Sequence, residues 1–175
     1  MVCDVTVLGK PLSARERRDA FEREVLPEAD RLYRLAIAIL GDRSEAEDVV
    51  QDTMVAAWRR WRTLRDPLRV EAWLTRICVN EAIDRHRRLR RLASLSWIGA
   101  VSDERDVQFE LEAAMLDVHR AFRKLSPSQR AVVALHLYHG LTVEQCAEAM
   151  GCRPGTARSH LGRAVAKLRR ELGDD

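Results

Sequence analysis

The sequence predicts an all-α protein, two small helical bundles joined by a flexible linker. Three observations carry that reading. Helix-start signatures recur: Ser13 with Glu16, Ser44 with Glu47 and Thr142 with Gln145 each pair an N-cap hydroxyl with an acid or amide three residues on, so that side chain and backbone satisfy each other's free donors. Aromatic residues make up only 5% of the 175-residue chain and charged residues 33%. That balance suits small helical cores better than a large sheet, and no alternating apolar–polar run marks a strand. The charge also comes in blocks, although the net charge is only +3. Residues 63–95 hold eight Arg against four acids, residues 96–117 six acids against one Arg, and residues 118–175 ten Lys or Arg against five acids. Two basic blocks separated by an acidic one point to two modules with a spacer, both able to meet a polyanion.

The elements follow in order. Residues 1–12 are expected to form a disordered tail. Ser13 opens a helix that Pro27 interrupts. The next segment carries Leu32, Leu35, Ala36, Ile39 and Leu40 and ends at Gly41. Ser44 is read as the cap of a third helix, reaching about Trp61, with an apolar stripe at Ala46, Val50, Met54, Ala57 and Trp61. Thr63–Arg69 contains Asp66-Pro67 and reads as a loop. A long helix from about Val70 to Arg91 completes the first module, residues 13–92. Residues 93–107 show no period and read as the linker. The second module, residues 108–175, begins with a helix from about Gln108 to Lys124. Ser126-Pro127, with Gln129 in the third helical position, starts another that Gly140 ends. Thr142 starts a short helix ending near Met150, Gly151-Cys152-Arg153 makes a turn, and the last helix begins at Pro154.

The end of the chain carries the sharpest pattern. LTVEQCAEAMGCRPGTARSHLGRAVAKLRREL is a short helix, a turn and a longer basic helix. In the last helix Ala157, Leu161, Ala164 and Leu168 form the buried stripe, and Gly155, Ser159, Gly162 and Ala166 follow the same spacing on the opposite face. Gly162 lies mid-helix, where glycine costs about 1 kcal/mol relative to alanine. Arg158 and Arg163 flank this slim face, and no acid occurs from Arg153 to Arg170. A helix entering the major groove needs close approach at its centre and donors at its edges, so the pattern points to DNA binding.

Two faces of the first module matter. On the long helix Arg76, Asn80, Asp84, Arg87 and Arg91 line up opposite Val70, Leu74, Ile77, Cys78 and Ala82. Arginines hold phosphates and asparagine can read a base edge; taken alone, the same pattern fits an amphipathic helix whose basic end suits its dipole. On the third helix Asp48, Gln51, Asp52 and Val55 share one face. It is the one face of this module unsuited to DNA, and it suits docking on a basic protein surface.

Together these stretches resemble the extracytoplasmic-function (ECF) sigma factors of bacterial RNA polymerase. AEDVVQDTMVAAWRRW is similar to their polymerase-docking helix, VEAWLTRICVNEAIDRHRRLRR to the helix that recognises and helps open the −10 element, and LSPSQRAVVALHLYHGLTVEQCAEAMGCRPGTARSHLGRA to the −35-binding module. The resemblance covers residues 18–172. It implies region two and region four joined by a linker, with promoter DNA, RNA polymerase core and an anti-sigma factor as partners and no cofactor. Asp48, Gln51, Asp52 and Val55 would meet polymerase. Leu64, Arg65, Asp66 and Arg69 would form the pocket for a flipped −10 base, with Asn80 beside it and Arg76, Arg87, Arg88 and Arg91 on the same DNA. Arg153, Gly155, Thr156, Arg158, Ser159, His160, Gly162, Arg163 and Lys167 would lie on the −35 duplex. Gly162 and Pro67 depart from the family's usual residues in the reading helix and the pocket loop.

Other chemistries fit less well. Cys3, Cys78, Cys146 and Cys152 contain no CxxC pair, which argues against a disulfide framework and suits a reducing cytoplasm. Cys146, Cys152, His139 and His160 match no common zinc spacing, and Cys146 on an apolar side reads as a buried thiol. Trp58, Trp61 and Trp73 read as core. No nucleophile has a base beside it, so the chain is expected not to be an enzyme. A free-standing helix–turn–helix regulator and a polymerase-binding protein that reads no promoter are the rival readings. The docking face argues against the first and the intact basic helix against the second.

Overall fold

The computed structural model describes residues 6–7, 10–11, 13–61, 69–95 and 113–173. Helices α1 (Ala14–Val25), α2 (Ala29–Leu40), α3 (Arg43–Arg60) and α4 (Val70–Leu95) form the first bundle. Helices α5 (Ala113–Arg123), α6 (Pro127–Val133), α7 (Val143–Ala149) and α8 (Pro154–Leu172) form the second. Ahead of them Thr6–Val7 and Lys10–Pro11 pair as a two-residue antiparallel ladder, which no alternation in the sequence announces.

Local chemistry sets the helix ends. Ser13 and Glu16 form the expected capping box, and so do Ser126 with Gln129 and Thr142 with Gln145. Pro27 converts the α1–α2 junction into a short 3-10 turn, Leu26–Glu28. The capping box expected at Ser44 and Glu47 is corrected: α3 starts two residues earlier, because the Asp42 carboxylate accepts from the Glu45 N–H at 2.8 Å and leaves Ser44 inside the helix. The core line of α3 also differs from the expected stripe: it runs through Ala46, Val49, Thr53, Ala57 and Trp61, with Val50 and Met54 only partly buried. Thr53 is accepted there because its hydroxyl donates to the Val49 carbonyl at 2.7 Å. Helix α4 continues past Arg91 to Leu95, so the first residues assigned to the linker are helical.

Leu32, Leu35, Ile39, Val49, Leu74 and Val79 are fully buried in the first bundle; each stabilises by about 1.5–3 kcal/mol relative to exposure. Arg31 fastens α2 to α4, donating to Glu28 at 2.6 Å, to the Thr75 hydroxyl at 3.0 Å and to the Glu71 carbonyl at 3.2 Å. In the second bundle α6 runs on into a π-helical turn, Ala134–Tyr138, which leaves Leu137 and Tyr138 exposed before Gly140 exits with φ +66°. Trp61 is core and Trp73 partly buried, as expected, but Trp58 is 48% exposed and meets Phe21 edge-on at 5.1 Å.

The two bundles pack together, α6 against α2 and α7 against α4, and their buried residues make one continuous core. Sequence periodicity marks each bundle's apolar stripe but not which stripes meet. Arg130 of α6 crosses this junction only 8% exposed. Its Nε has no partner, and no carboxylate pairs with it among the described residues. Burial, and next the nearby Arg123, hold its pKa below the ordinary arginine value. Its Nη1 lies where a Cβ on Gly41 would stand at 3.2 Å, and Gly41 closes α2 with φ +74°. The guanidinium therefore rests by the negative end of the α2 dipole, a compensation of at most about 2 kcal/mol, less than the several kcal/mol that burying a charge costs. Replacing Arg130 with Met, similar in length and apolar, is expected to raise the unfolding free energy by about 1 kcal/mol, read as a higher urea midpoint at unchanged slope. A loss of stability would show that the helix end outweighs the burial.

Candidate nucleic-acid and docking surfaces

Helix α8 is built as the sequence predicts. Pro154 occupies its first turn, Ala157 and Ala164 are buried, and Leu161 and Leu168 pack against the core. The opposite face is bare: Gly155, Ser159, Gly162 and Ala166 are exposed. A Cβ on Gly155 or Gly162 would meet nothing within 4 Å. Internal packing therefore requires neither glycine, and what the helix gains from them is clearance outside. The Ser159 hydroxyl turns back to donate to the Gly155 carbonyl at 2.9 Å, which keeps the strip flat. Arg153, Thr156, Arg158 and Arg163 are exposed around it. Arg158 leans on Glu144 of α7 at 3.2 Å, but both side chains are more than half exposed, so the pair holds the guanidinium only loosely. His160 is half-buried; burial, with Arg163 beside it, keeps its ring below the ordinary histidine pKa. Lys167 differs from the rest of its group. Its ammonium donates to the Lys124 carbonyl at 2.5 Å, tying α8 to the end of α5.

Helix α4 presents Arg76, Arg87, Arg88 and Arg91 outward, with Arg69 exposed just before it. Arg87 pairs with Asp84 at 3.0 Å within the helix. Asn80 lies apart from this exposed row. It is half-buried, and its Oδ1 would stand 3.6 Å from a Cβ on Gly151, in the turn between α7 and α8. Leu64, Arg65, Asp66 and Pro67 lie outside the described residues, as does the linker from residue 96 onward, Trp97 included.

On α3 Asp48, Gln51, Asp52 and Val55 share one exposed face, and the exposed part of Trp58 extends it one turn further. The sequence signal for Trp58 was its i+3 position after Val55. Arg85 of α4 is the residue that sequence reasoning missed. Its guanidinium donates to Glu45 and Asp48 and lies 3.8 Å from Asp52. The partners are 33 to 40 positions away, so no local spacing links them. Cys78 and Cys146 are buried as structural thiols; burial pushes Cys78 up to about 12 and Cys146 up to about 11.

Two families match this architecture, Sigma-70 region 2 over residues 25–92 and Sigma-70 region 4 over residues 115–168. The chain is 32% identical over 154 residues to the RNA polymerase sigma-E factor of Streptomyces coelicolor, covering 87% of this chain and 85% of that one. It is 36% identical over 149 residues to the ECF RNA polymerase sigma factor SigL of Mycobacterium tuberculosis, covering 81% and 84%. Among solved structures it is similar to the sigma factor RpoE in complex with the anti-sigma factor NepR from Bartonella quintana. There the TM-score is 0.70 and the identity 30%, over 89% of this chain and 98% of that one. CnrH in complex with the cytosolic domain of CnrY aligns with a TM-score of 0.61 at 28% identity, over 90% of each chain. With an acidic face on one helix, a basic row on the next and a bare-faced helix–turn–helix at its end, the chain belongs to the ECF sigma factors of RNA polymerase, which direct promoter-specific initiation of transcription.

Proposed function

We propose that the chain docks on core polymerase through Asp48, Gln51, Asp52 and Val55. It takes up the opened −10 strand with Asn80, with Arg76, Arg87, Arg88 and Arg91 of α4 and with the loop Leu64–Arg69, and seats α8 on the −35 duplex. The observation that carries the reading is the pair of bare glycines, Gly155 and Gly162, on the face that Arg158 and Arg163 flank. Internal packing does not explain them, and groove entry does. The work is binding rather than chemistry: captured single-stranded bases shift the opening equilibrium, and polymerase makes RNA. It takes place where polymerase is, in the cytoplasm.

Asn80 against the Gly151 turn supports a further part of the reading. With the modules packed together, the −10 residue is half covered, so the two modules separate before both elements are read. An anti-sigma factor that held them together would keep the chain silent, and the RpoE structure is a complex with an anti-sigma factor. We extend such a partner to this chain.

The test is a footprint on promoter DNA. The isolated chain is expected to give none at nanomolar concentration and physiological salt, and to give a −35 and −10 footprint once core is added. Two weak modules gain affinity when a scaffold fixes their separation. A specific footprint from the chain alone, on a palindromic site, would make it a free-standing regulator.

A further inference from the structure

The docking face is not empty in the free chain. Three carboxylates of α3, Glu45, Asp48 and Asp52, converge on the one guanidinium of Arg85. Arg85 belongs to the basic stretch Arg85–Arg91, yet its side chain is only 23% exposed, against 62% for Arg87. The three carboxylates are unequal. Glu45 is 25% exposed, whereas Asp48 and Asp52 are 50% and 52% exposed. Arg85 is thus anchored on its buried side by Glu45, and its terminal nitrogens reach out to the two aspartates that a partner would use.

We propose that Arg85 is an internal counter-ion of the docking face, which occupies Asp48 and Asp52 in the free chain and yields them to cationic side chains of polymerase on docking. This rests on the reading of Asp48 and Asp52 as docking residues. Four groups with one cation among three anions keep an excess of two negative charges, so the face still attracts a basic surface. A fork-shaped guanidinium can release its two terminal nitrogens while Nε stays on Glu45. The exchange therefore leaves no buried charge unpaired. Burial opposes the charged form of Arg85, but the hydrogen bond to Glu45 outweighs it and holds the pKa above the ordinary value, in keeping with a permanently charged competitor.

The experiment measures core-polymerase affinity of the full chain at two salt concentrations, with melting curves for every variant. Arg85→Gln is expected to bind core about three- to tenfold more tightly at low salt, the equivalent of one or two partly exposed ion pairs no longer being displaced. The gain should shrink at high salt. Arg85→Lys, a point charge that cannot span three carboxylates, should fall between. The gain should vanish in the background Asp48→Asn with Asp52→Asn. Weaker core binding by a normally melting Arg85→Gln would overturn the proposal, because Arg85 would then hold the carboxylates in place for polymerase. If Arg85→Gln itself melts early, Arg85→Lys decides the matter: unchanged or weaker core affinity counts against the exchange. Core affinity indifferent to Asp48→Asn with Asp52→Asn would instead remove the docking reading itself, a result separable from failure of the exchange alone.

Discussion

Reversing charge at Asp48 and Asp52 to Lys is expected to abolish polymerase binding. The cluster with Glu45 and Arg85 would change from two negative charges in excess to two positive, and a basic docking surface would then meet cations. Like charges facing each other across an interface cost several kcal/mol, which is more than about a hundredfold in affinity. The fold should lose far less. Asp48 and Asp52 are each about half exposed, and partly exposed ion pairs contribute about 0.2–1 kcal/mol each. Arg85 would remain on Glu45, so a loss of about 1–2 kcal/mol in unfolding free energy is the expected limit. Helical circular dichroism should therefore be unchanged and the melting point only modestly lower, while the chain fails to co-elute with core. Collapse of the circular-dichroism signal would make the acids structural. Normal co-elution by a normally folded variant would place the docking face elsewhere.

The prediction combines a part of the molecule that the sequence announces with a part that it does not. Asp48, Gln51, Asp52 and Val55 repeat at helical spacing, and a period inside one helix is visible without a structure. The slim face of α8 is legible for the same reason, since Gly155, Ser159, Gly162 and Ala166 stand opposite Ala157 and Ala164 in one continuous run. Three of the helix starts follow from capping boxes of the expected type. The fourth misled by being ambiguous: Asp42 and Ser44 are both good caps, and each has a glutamate three residues on. In the fold it is Asp42 that caps, accepting from the Glu45 N–H, and Ser44 lies inside the helix. What one helix does to another leaves no such trace. Arg85 looks like one more arginine in a basic tail until α3 is brought beside it. Lys167 reads as a groove-facing cation until its ammonium is found on the Lys124 carbonyl. Asn80 sits in the row of Arg76 and Arg87, yet it faces the Gly151 turn, because α7 packs on α4. Periodicity specifies faces, and tertiary contact specifies their partners.

The two basic helices should fail differently when each loses one side chain, and a template melted in advance separates them. Arg158→Ala acts on duplex DNA. Its ion pair with Glu144 joins two exposed side chains, so removing it should move stability by no more than about 0.5 kcal/mol. If Arg158 reads a guanine with two hydrogen bonds, its loss costs about 1–3 kcal/mol in −35 binding and relaxes preference at one position. If it holds a phosphate, binding weakens on every sequence and the salt slope falls by about one unit. Neither defect depends on the state of the −10 region, so pre-melting should not restore transcription. Asn80→Ala acts on the opened strand, where a base has left the stack. It should leave affinity for a −35 duplex fragment unchanged and reduce open-complex formation on a closed template. Pre-melting supplies the unstacking that the lost contact helped to drive, so much of the deficit should disappear there. The place of Asn80 beside the Gly151 turn sharpens the comparison: any loosening of the packed form by truncation would on its own ease opening, so a net loss of open complex on closed DNA must come from the strand contact. The measurements are run-off transcription and open-complex lifetime for both variants on closed and pre-melted promoters. Rescue of Arg158→Ala by pre-melting, together with loss of −35 duplex affinity in Asn80→Ala, would reverse the assignment of the two modules. Transcription unaffected by either change would remove both residues from the DNA surface.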